Sequence, residues 1–202
     1  MSADVTSLPD SVKEHENALI PSGVLGMLIF VACEIMYFAA LFSAYMVVSA
    51  GASEWPPADQ PRLPVATTAL NTLILLLSGF LLFRANQKFR VSGVLADAKK
   101  CLGWAIACGA FFVAFQGVEW IRLIGYGLTM QSSSYGSFFY LIVGSHALHA
   151  FIAIFLLGLQ YLKLKKDQLR DTEFWTMQVF WYFVVGVWPF LFVLVYLNGG
   201  KS

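Results

Sequence analysis

The sequence has few charged residues. Only 12% of its 202 residues are Asp, Glu, Lys or Arg, whereas 58% are hydrophobic and the mean hydropathy is +0.69. A soluble domain carries about 25% charged residues, and half that fraction cannot cover a soluble globule of this size. The net charge of +1 comes without a basic patch interleaved with aromatic residues outside the apolar segments. This pattern argues against a nucleic-acid partner.

Cysteine is also scarce. Cys33, Cys101 and Cys108 form no CxxC pair and lie in or beside apolar segments. This spacing is typical neither of a disulfide framework nor of a zinc site. We expect the three side chains to be small buried hydrophobic groups.

The first twenty residues lack the features of a targeting segment. They hold three acidic residues within a short stretch around Lys13 and no basic region followed by a short apolar core. The segment is therefore predicted to be neither a secretory signal nor a mitochondrial transit peptide. We interpret residues 1–20 as a short polar tail.

Long apolar stretches dominate the remainder. Five are nearly free of charge, at about residues 21–50, 65–83, 101–123, 136–162 and 174–197. About 20 residues at 1.5 Å each cross the hydrocarbon core, and lipid forces such segments to be helical. The sequence predicts an all-α, polytopic membrane protein: one domain of five transmembrane helices over residues 21–198, followed by a short tail at 199–202.

The segments between these stretches are short, and none repeats another. Gly51–Pro64 is proline-rich, Arg84–Lys100 is polar and basic, Ile124–Tyr135 holds glycines and serines, and Lys163–Glu173 is highly charged. All four are predicted to be linkers, since proline and clustered charge end membrane helices.

The distribution of lysine and arginine predicts an orientation. With five spans, ten of these residues lie on the side of the N-terminus and three on the side of the C-terminus. The positive-inside rule then places the N-terminus in the cytoplasm and the C-terminus outside. Aromatic residues near the predicted boundaries are expected among the headgroups: Trp55, Trp104, Trp120, Tyr126, Tyr161 and Tyr196.

Two pairs of small residues occur at four-residue spacing, Ala40 with Ala44 and Ala105 with Gly109. Such pairs let helix backbones approach closely in lipid. They predict packed helices, in this chain or in a partner.

Glu34 is the most informative single residue. It lies roughly 20 Å into the first predicted helix, where a charge costs at least ~2.5 kcal/mol. Two interpretations stay open: a proton-linked or gating carboxyl, and a protonated acid that is hydrogen-bonded to a neighbouring helix. Tyr37, one turn further on, could supply a local partner.

A polar stripe lies late in the third predicted helix. Gln116, Glu119 and Arg122 are spaced three residues apart and share one face. A structural ion pair that anchors the end of the helix is the simplest interpretation.

His146 and His149 also share a helix face within the string SHALHA. They could be metal or haem ligands, a proton relay, or hydrogen-bonded core histidines, but no third ligand is near in sequence. A buried carboxyl beside a histidine relieves the desolvation cost of both groups. We therefore predict that His146 or His149 meets Glu34 or Glu119 across helices.

Several strings together identify a resemblance to a known family. They are GMLIFVACEIMYFAALFSAY (Gly26–Tyr45), WPP (Trp55–Pro57), LNT (Leu70–Thr72), FQGVEW (Phe115–Trp120) and SSYGSFFYLIVGSHALHAF (Ser133–Phe151). In this order and spacing they resemble subunit III of the haem–copper oxidases, the cytochrome c oxidase subunit III family, in its short five-helix bacterial form. The resemblance covers about residues 23–197.

One stretch departs from the family pattern. In the last helix the family commonly has a histidine where Tyr182 stands and an aspartate where Val185 stands. A role of those two family residues cannot be carried over to this chain.

The resemblance implies a function. A member would be a non-catalytic subunit of a cytochrome c or quinol oxidase that reduces oxygen to water and pumps protons, in the bacterial cytoplasmic (inner) membrane. Haem and copper would belong to the partner subunits I and II, with no redox centre, metal or catalytic residue in this chain. The chain would bind membrane lipids and support complex stability and proton uptake. Glu34, Glu119, His146 and His149 would be its intramembrane polar site, supported by Gln116, Arg122 and Tyr37.

Two alternatives stay open at this point. Subunit III-like proteins also accompany nitric oxide reductases. A stand-alone transporter or proton channel could use the same buried groups, although the inverted repeats of many transporters are missing here.

Overall fold

The structure, a computed structural model, describes residues 21–57, 60–90 and 95–197. Within these ranges the chain forms five long helices, the last continued by a π-helix: α1 (Ser22–Gly51), α2 (Val65–Arg90), α3 (Leu95–Gly125), α4 (Ser134–Lys165), α5 (Asp171–Leu191) and the π-helix Phe192–Leu197. All five are long and apolar enough to cross a membrane. The predicted all-α bundle of five membrane helices is confirmed. The predicted tails, 1–20 and 199–202, lie outside the described residues.

The helices are longer than the apolar stretches. α2 continues through Arg90 instead of ending at Phe83, and α3 begins at Leu95 instead of Cys101. The prediction of a linker from Arg84 to Lys100 was therefore wrong for most of its length. The bilayer with its headgroups is about 40–45 Å thick, so polar turns rich in Lys, Arg, Ala and Gln can extend a helix beyond the hydrocarbon.

Helix α5 lies at the centre of the packing. It contacts α1, α2 and α4, while α2 and α3 pack along each other as an antiparallel pair. Trp181 and Trp188 of α5 are completely buried, and Tyr45 and Tyr135 close the core toward the ends of α1 and α4. Among the described helices, α1 packs against α5 and, at a few positions, against α4.

Buried polar side chains join the helices. Ser78 of α2 donates to the carbonyl oxygen of Ala105 at 2.7 Å. The indole Nε1 of Trp188 donates to the Thr72 hydroxyl at 2.8 Å. Hydrogen bonds between membrane helices average about 0.6 kcal/mol each, so these bonds fix the register of α2 more than they add stability.

The two predicted pairs of small residues differ in their role. Ala105 and Gly109 are buried against α2 and α5, which confirms a close approach within this chain. Ala40 and Ala44 lie on the exposed surface of α1. Cys33 is exposed on the same helix, so the expectation that all three cysteines are buried was wrong. The reason is that lipid accepts an apolar side chain as readily as the protein interior does.

Of the six predicted boundary aromatics, two are exposed, three are half-buried against the core, and Tyr196 is buried. Trp104 and Tyr126 are 66% and 73% exposed, whereas Tyr196 is 1% exposed. Tyr196 lies in the π-helix that follows Pro189, a residue that removes one helical hydrogen bond. The π-helical turn directs Tyr196 inward, against the expectation from position alone.

Contacts between loops show which connections share an end of the bundle. The Lys99 ammonium contacts Asp167 at 3.1 Å, which joins the α2–α3 and α4–α5 ends. At the opposite end the Ser132 hydroxyl donates to the Gln60 side chain at 3.1 Å. The basic segments therefore lie at one end; which end faces the cytoplasm stays a prediction.

Candidate functional site

A carboxyl and an imidazole meet between α1 and α4 in the middle of the bundle. Glu34 lies about 18 Å along α1 from its start, and His149 lies about 22 Å along the oppositely directed α4. The Oε2 atom of Glu34 and the Nε2 atom of His149 are 3.0 Å apart, and the two side chains are 17% and 15% exposed. The predicted pairing of a deep glutamate with a histidine across helices is confirmed for this pair.

The other ring nitrogen of His149 determines how the pair can be protonated. Its Nδ1 atom lies 2.7 Å from the carbonyl oxygen of Ser145. A carbonyl oxygen only accepts hydrogen bonds, so Nδ1 must carry a proton. Nε2 then either accepts from a neutral Glu34 or, as imidazolium, donates to its carboxylate. In both forms the pair holds one proton between the two side chains and carries no net charge.

Tyr37 extends this site in a way that the sequence did not indicate. Its hydroxyl lies 2.8 Å from the hydroxyl of Ser145, where either atom could be the donor. Tyr37 was a possible local partner of Glu34, but the hydrogen bond found at its hydroxyl runs across to α4 instead of along α1. Ser145 thus contacts both Tyr37 and His149 and holds α1 and α4 together beside the pair. Spacing along one helix could not reveal this contact.

An open groove leads from the surface to the pair. Cys33, Glu34, Tyr37, Leu148 and His149 line it together with Ser145. The ionisable atoms are therefore accessible from the side of the bundle.

His146 points away from His149 into the core. It is 1% exposed, and its ring lies 5.0 Å from that of Trp188 and 6.4 Å from that of Phe112. Its Nε2 atom finds no hydrogen-bond partner within the part of the chain that is described. The expectation of a core histidine is confirmed, while the expected hydrogen bond at this atom is not found there.

The predicted polar stripe on α3 is split between two partners. Arg122 donates to Glu119 at 2.9 Å; the arginine side chain is 62% exposed and the glutamate side chain 6%. This is the predicted ion pair. Gln116 instead donates from Nε2 to the Tyr196 hydroxyl at 2.7 Å. The stripe thus connects the surface at Arg122 with the core at Tyr196.

Within residues 21–57, 60–90 and 95–197, no group of three or more His, Cys, Asp or Glu side chains could hold a metal ion. The two histidines of the HxxH pair have different nearest partners: His149 bonds Glu34 of α1, whereas the ring of His146 lies against that of Trp188 of α5. The ionisable side chains that meet between α1 and α4, Glu34 and His149, are both proton-binding groups.

Comparison with known proteins identifies the family. Residues 3–200 match the family described as cytochrome c oxidase subunit III. The chain belongs to the cytochrome c oxidase subunit III family. This subunit III is accordingly a multi-pass membrane protein and part of an oxidase complex.

Relatives from distant organisms agree with this assignment. A probable cytochrome c oxidase subunit 3 of Mycobacterium leprae (strain TN) is 34% identical over 179 residues, covering 85% of this chain and 86% of the relative. The cytochrome c oxidase subunit 3 of Thermostichus vulcanus is 31% identical over 178 residues, covering 86% of each. That of Marchantia polymorpha is 33% identical over 202 residues, covering 93% of this chain and 73% of the relative. These similarities support the oxidase interpretation and not the nitric oxide reductase alternative.

The two departures from the family pattern lie on α5. Val185 is 7% exposed and packs against Gly79, where a Cβ would lie 3.1 Å from its Cγ1 atom. The Tyr182 hydroxyl finds no hydrogen-bond partner among the described residues. In this subunit III the Val185 position is an apolar contact between α5 and α2.

Proposed function

We propose that this subunit III is a non-catalytic, accessory subunit of a haem–copper terminal oxidase. The complex reduces oxygen to water and pumps protons, with cytochrome c or a quinol as electron donor. Haem and copper belong to the partner subunits I and II. The chain contributes stability, lipid binding and support of proton uptake.

The proposal places the chain in the bacterial cytoplasmic membrane. The basic ends of α2, α3 and α4 lie together, and ten of thirteen Lys and Arg residues are on that side of the predicted topology. The N-terminus therefore faces the cytoplasm and the C-terminus faces outward. Proton uptake from the cytoplasm would approach the bundle from its basic end.

The Glu34–His149 pair is the observation that carries the role in proton uptake. The pair holds one proton at mid-depth, and a groove opens to it. Because Glu34 Oε2 and His149 Nε2 are 3.0 Å apart, a proton can pass between the two side chains without any other group moving. Such a pair can buffer the protonation of a neighbouring path without being a redox centre.

Substitution of Glu34 tests this role. Glu34→Gln keeps a hydrogen-bonding side chain but cannot release a proton, and Glu34→Ala removes the side chain. Glu54→Gln, in the exposed segment that follows α1, is the matched control. The complexes are purified, their haem spectra are recorded, and proton pumping and the number of turnovers before inactivation are measured in vesicles.

We expect both Glu34 variants to keep the haem spectrum while lowering proton pumping or shortening the catalytic lifetime. The control variant should retain both properties. Unchanged pumping and lifetime in both Glu34 variants would reject the proposed role of the pair.

The accessory role is tested by identifying the proteins and haem that co-purify with the chain. Affinity purification in mild detergent should yield an oxidase catalytic subunit and the reduced-minus-oxidised bands of haem. A nitric oxide reductase as the co-purifying enzyme would reject the oxidase assignment, and a chain that purifies alone and free of haem would reject the accessory role.

A further inference from the structure

A second groove lies at the basic end of the bundle, away from the Glu34–His149 pair. It runs between the start of α3 and the end of α4 and offers about 310 Å³ of space. Its lining combines ammonium groups with aromatic and small side chains: Lys99, Lys100, Gly103, Trp104, Ala107 and Tyr161. The mixture of charged and apolar walls distinguishes it from the wholly apolar groove between α1 and α5.

Positive charge exceeds negative charge at the mouth of this groove. Lys99 is held by Asp167 at 3.1 Å, and the Lys165 ammonium lies 4.9 Å from the centre of the Tyr161 ring. Lys100 is exposed, and no ion-pair or hydrogen-bond partner holds its ammonium among the described residues. The lysines named here, two that line the groove and one beside its Tyr161 wall, thus outnumber the one carboxylate that pairs with them.

The inner part of the groove is apolar and lies on the exposed side of α3. Trp104 is 66% exposed and Ala107, one turn deeper, is also exposed. Gly103 has no side chain to fill the base of the groove, and a Cβ there would lie 3.7 Å from the Tyr161 ring. Trp and Tyr favour the level of the headgroups, so the groove crosses from the headgroup region into the hydrocarbon.

We propose that this groove binds an anionic phospholipid. The phosphate contacts Lys100, with Lys99 and Lys165 adding positive charge, and an acyl chain lies along Trp104 and Ala107. This inference rests on the proposed function, which includes lipid binding, and it specifies where on the chain one lipid binds. Basic pockets between membrane helices favour anionic headgroups, whereas a zwitterionic lipid gains little from excess ammonium groups.

The proposal is tested with a photoactivatable phosphatidylglycerol. The affinity-purified complex, in phosphatidylcholine nanodiscs that contain the probe, is illuminated, and labelled peptides are identified by mass spectrometry. The variants are Lys100→Gln and the charge-retaining Lys100→Arg. Lys88→Gln removes an ammonium at the same end of the bundle but outside the groove, and is the matched control.

We expect label in the segment from Lys99 to Ala107, displaced by unlabelled phosphatidylglycerol but not by phosphatidylcholine or inorganic phosphate. Since one lysine near the membrane surface contributes about 1 kcal/mol, Lys100→Gln should weaken competition about fivefold. Lys100→Arg and Lys88→Gln should label like the wild type.

Three results would overturn the proposal. Equal labelling of Lys100→Gln and the wild type would show that the groove charge is not used. Displacement of the label by inorganic phosphate would indicate that the groove binds a free anion. If no lipid label is found and position 100 cross-links to another subunit, the occupant of the groove is a protein. The proposed function is tested by a separate experiment, because co-purification of the oxidase subunits does not depend on lipid labelling.

Discussion

The indole ring of Trp181 in α5 lies directly against Gly109 of α3. A Cβ at Gly109 would lie 2.7 Å from Cη2 and 2.9 Å from Cζ2 of this ring. Trp181 is completely buried, and Ile154 bounds the same space at 3.4 Å from the Cβ position. The contact therefore requires glycine at position 109, since the ring is enclosed and cannot move aside.

Gly109→Ala should destabilise the complex by about 1–3 kcal/mol, the usual cost of overpacking a filled core. The matched control is Gly117→Ala on the same helix, where nothing lies within 4 Å of the Cβ position. Thermal unfolding of the purified complexes measures both. Equal midpoints for the two variants would contradict the packing argument.

The sequence predicted the close approach at Gly109 but not its partner. Spacing of small residues shows where a helix can be approached, whereas the fold decides which side chain arrives. The five spans could be predicted because lipid leaves the backbone no other arrangement. The buried position of Tyr196 could not be predicted, because a π-helical turn changes the direction of side chains and leaves no mark in the hydrophobic pattern of the sequence.

The Glu34–His149 bond predicts a specific pattern in a double-mutant cycle. Removal of one partner leaves a polar group of the other without compensation, whereas removal of both leaves apolar contact. His149→Phe alone should therefore lower stability more than His149→Phe combined with Glu34→Leu. Unfolding midpoints of the complexes give the coupling, which we expect between about 0.5 and 3 kcal/mol. Additive effects would mean that the two side chains do not interact.

From the free-energy cost of burying ionisable groups we predicted a Glu–His pair, but the Glu34–His149 pair was only one of four possible pairings. Two glutamates and two histidines were candidates, and their positions along separate helices could not select among them. The packing of α1 against α4 brings Glu34 to His149, while Glu119 turns to Arg122. Ser145, which contacts both Tyr37 and His149, gave no signal in the sequence because serine is common in membrane helices.

Replacement of both histidines should leave the metal content of the complex unchanged. His146 lies beside Trp188 and His149 bonds Glu34, so the two rings do not converge on a common point. Elemental analysis of metal per haem, in the wild type and in His146→Ala with His149→Ala, measures this directly. A stoichiometric loss of one metal would show that the pair is a ligand set after all.

The Gln116–Tyr196 bond should stabilise the end of α5. The Gln116 amide donates to the tyrosine hydroxyl at 2.7 Å, and the two residues are 3% and 1% exposed. Tyr196→Phe removes the acceptor and leaves the buried amide without this partner, at a cost of about 1–3 kcal/mol. Tyr126→Phe is the matched control, because Tyr126 is 73% exposed. Hydrogen exchange of the segment from Phe192 to Leu197 should accelerate in Tyr196→Phe but not in the control. Unaltered exchange would show that the π-helical turn is held by packing alone, for which the stacked ring of Phe192, 5.6 Å from that of Tyr196, is the next group to replace.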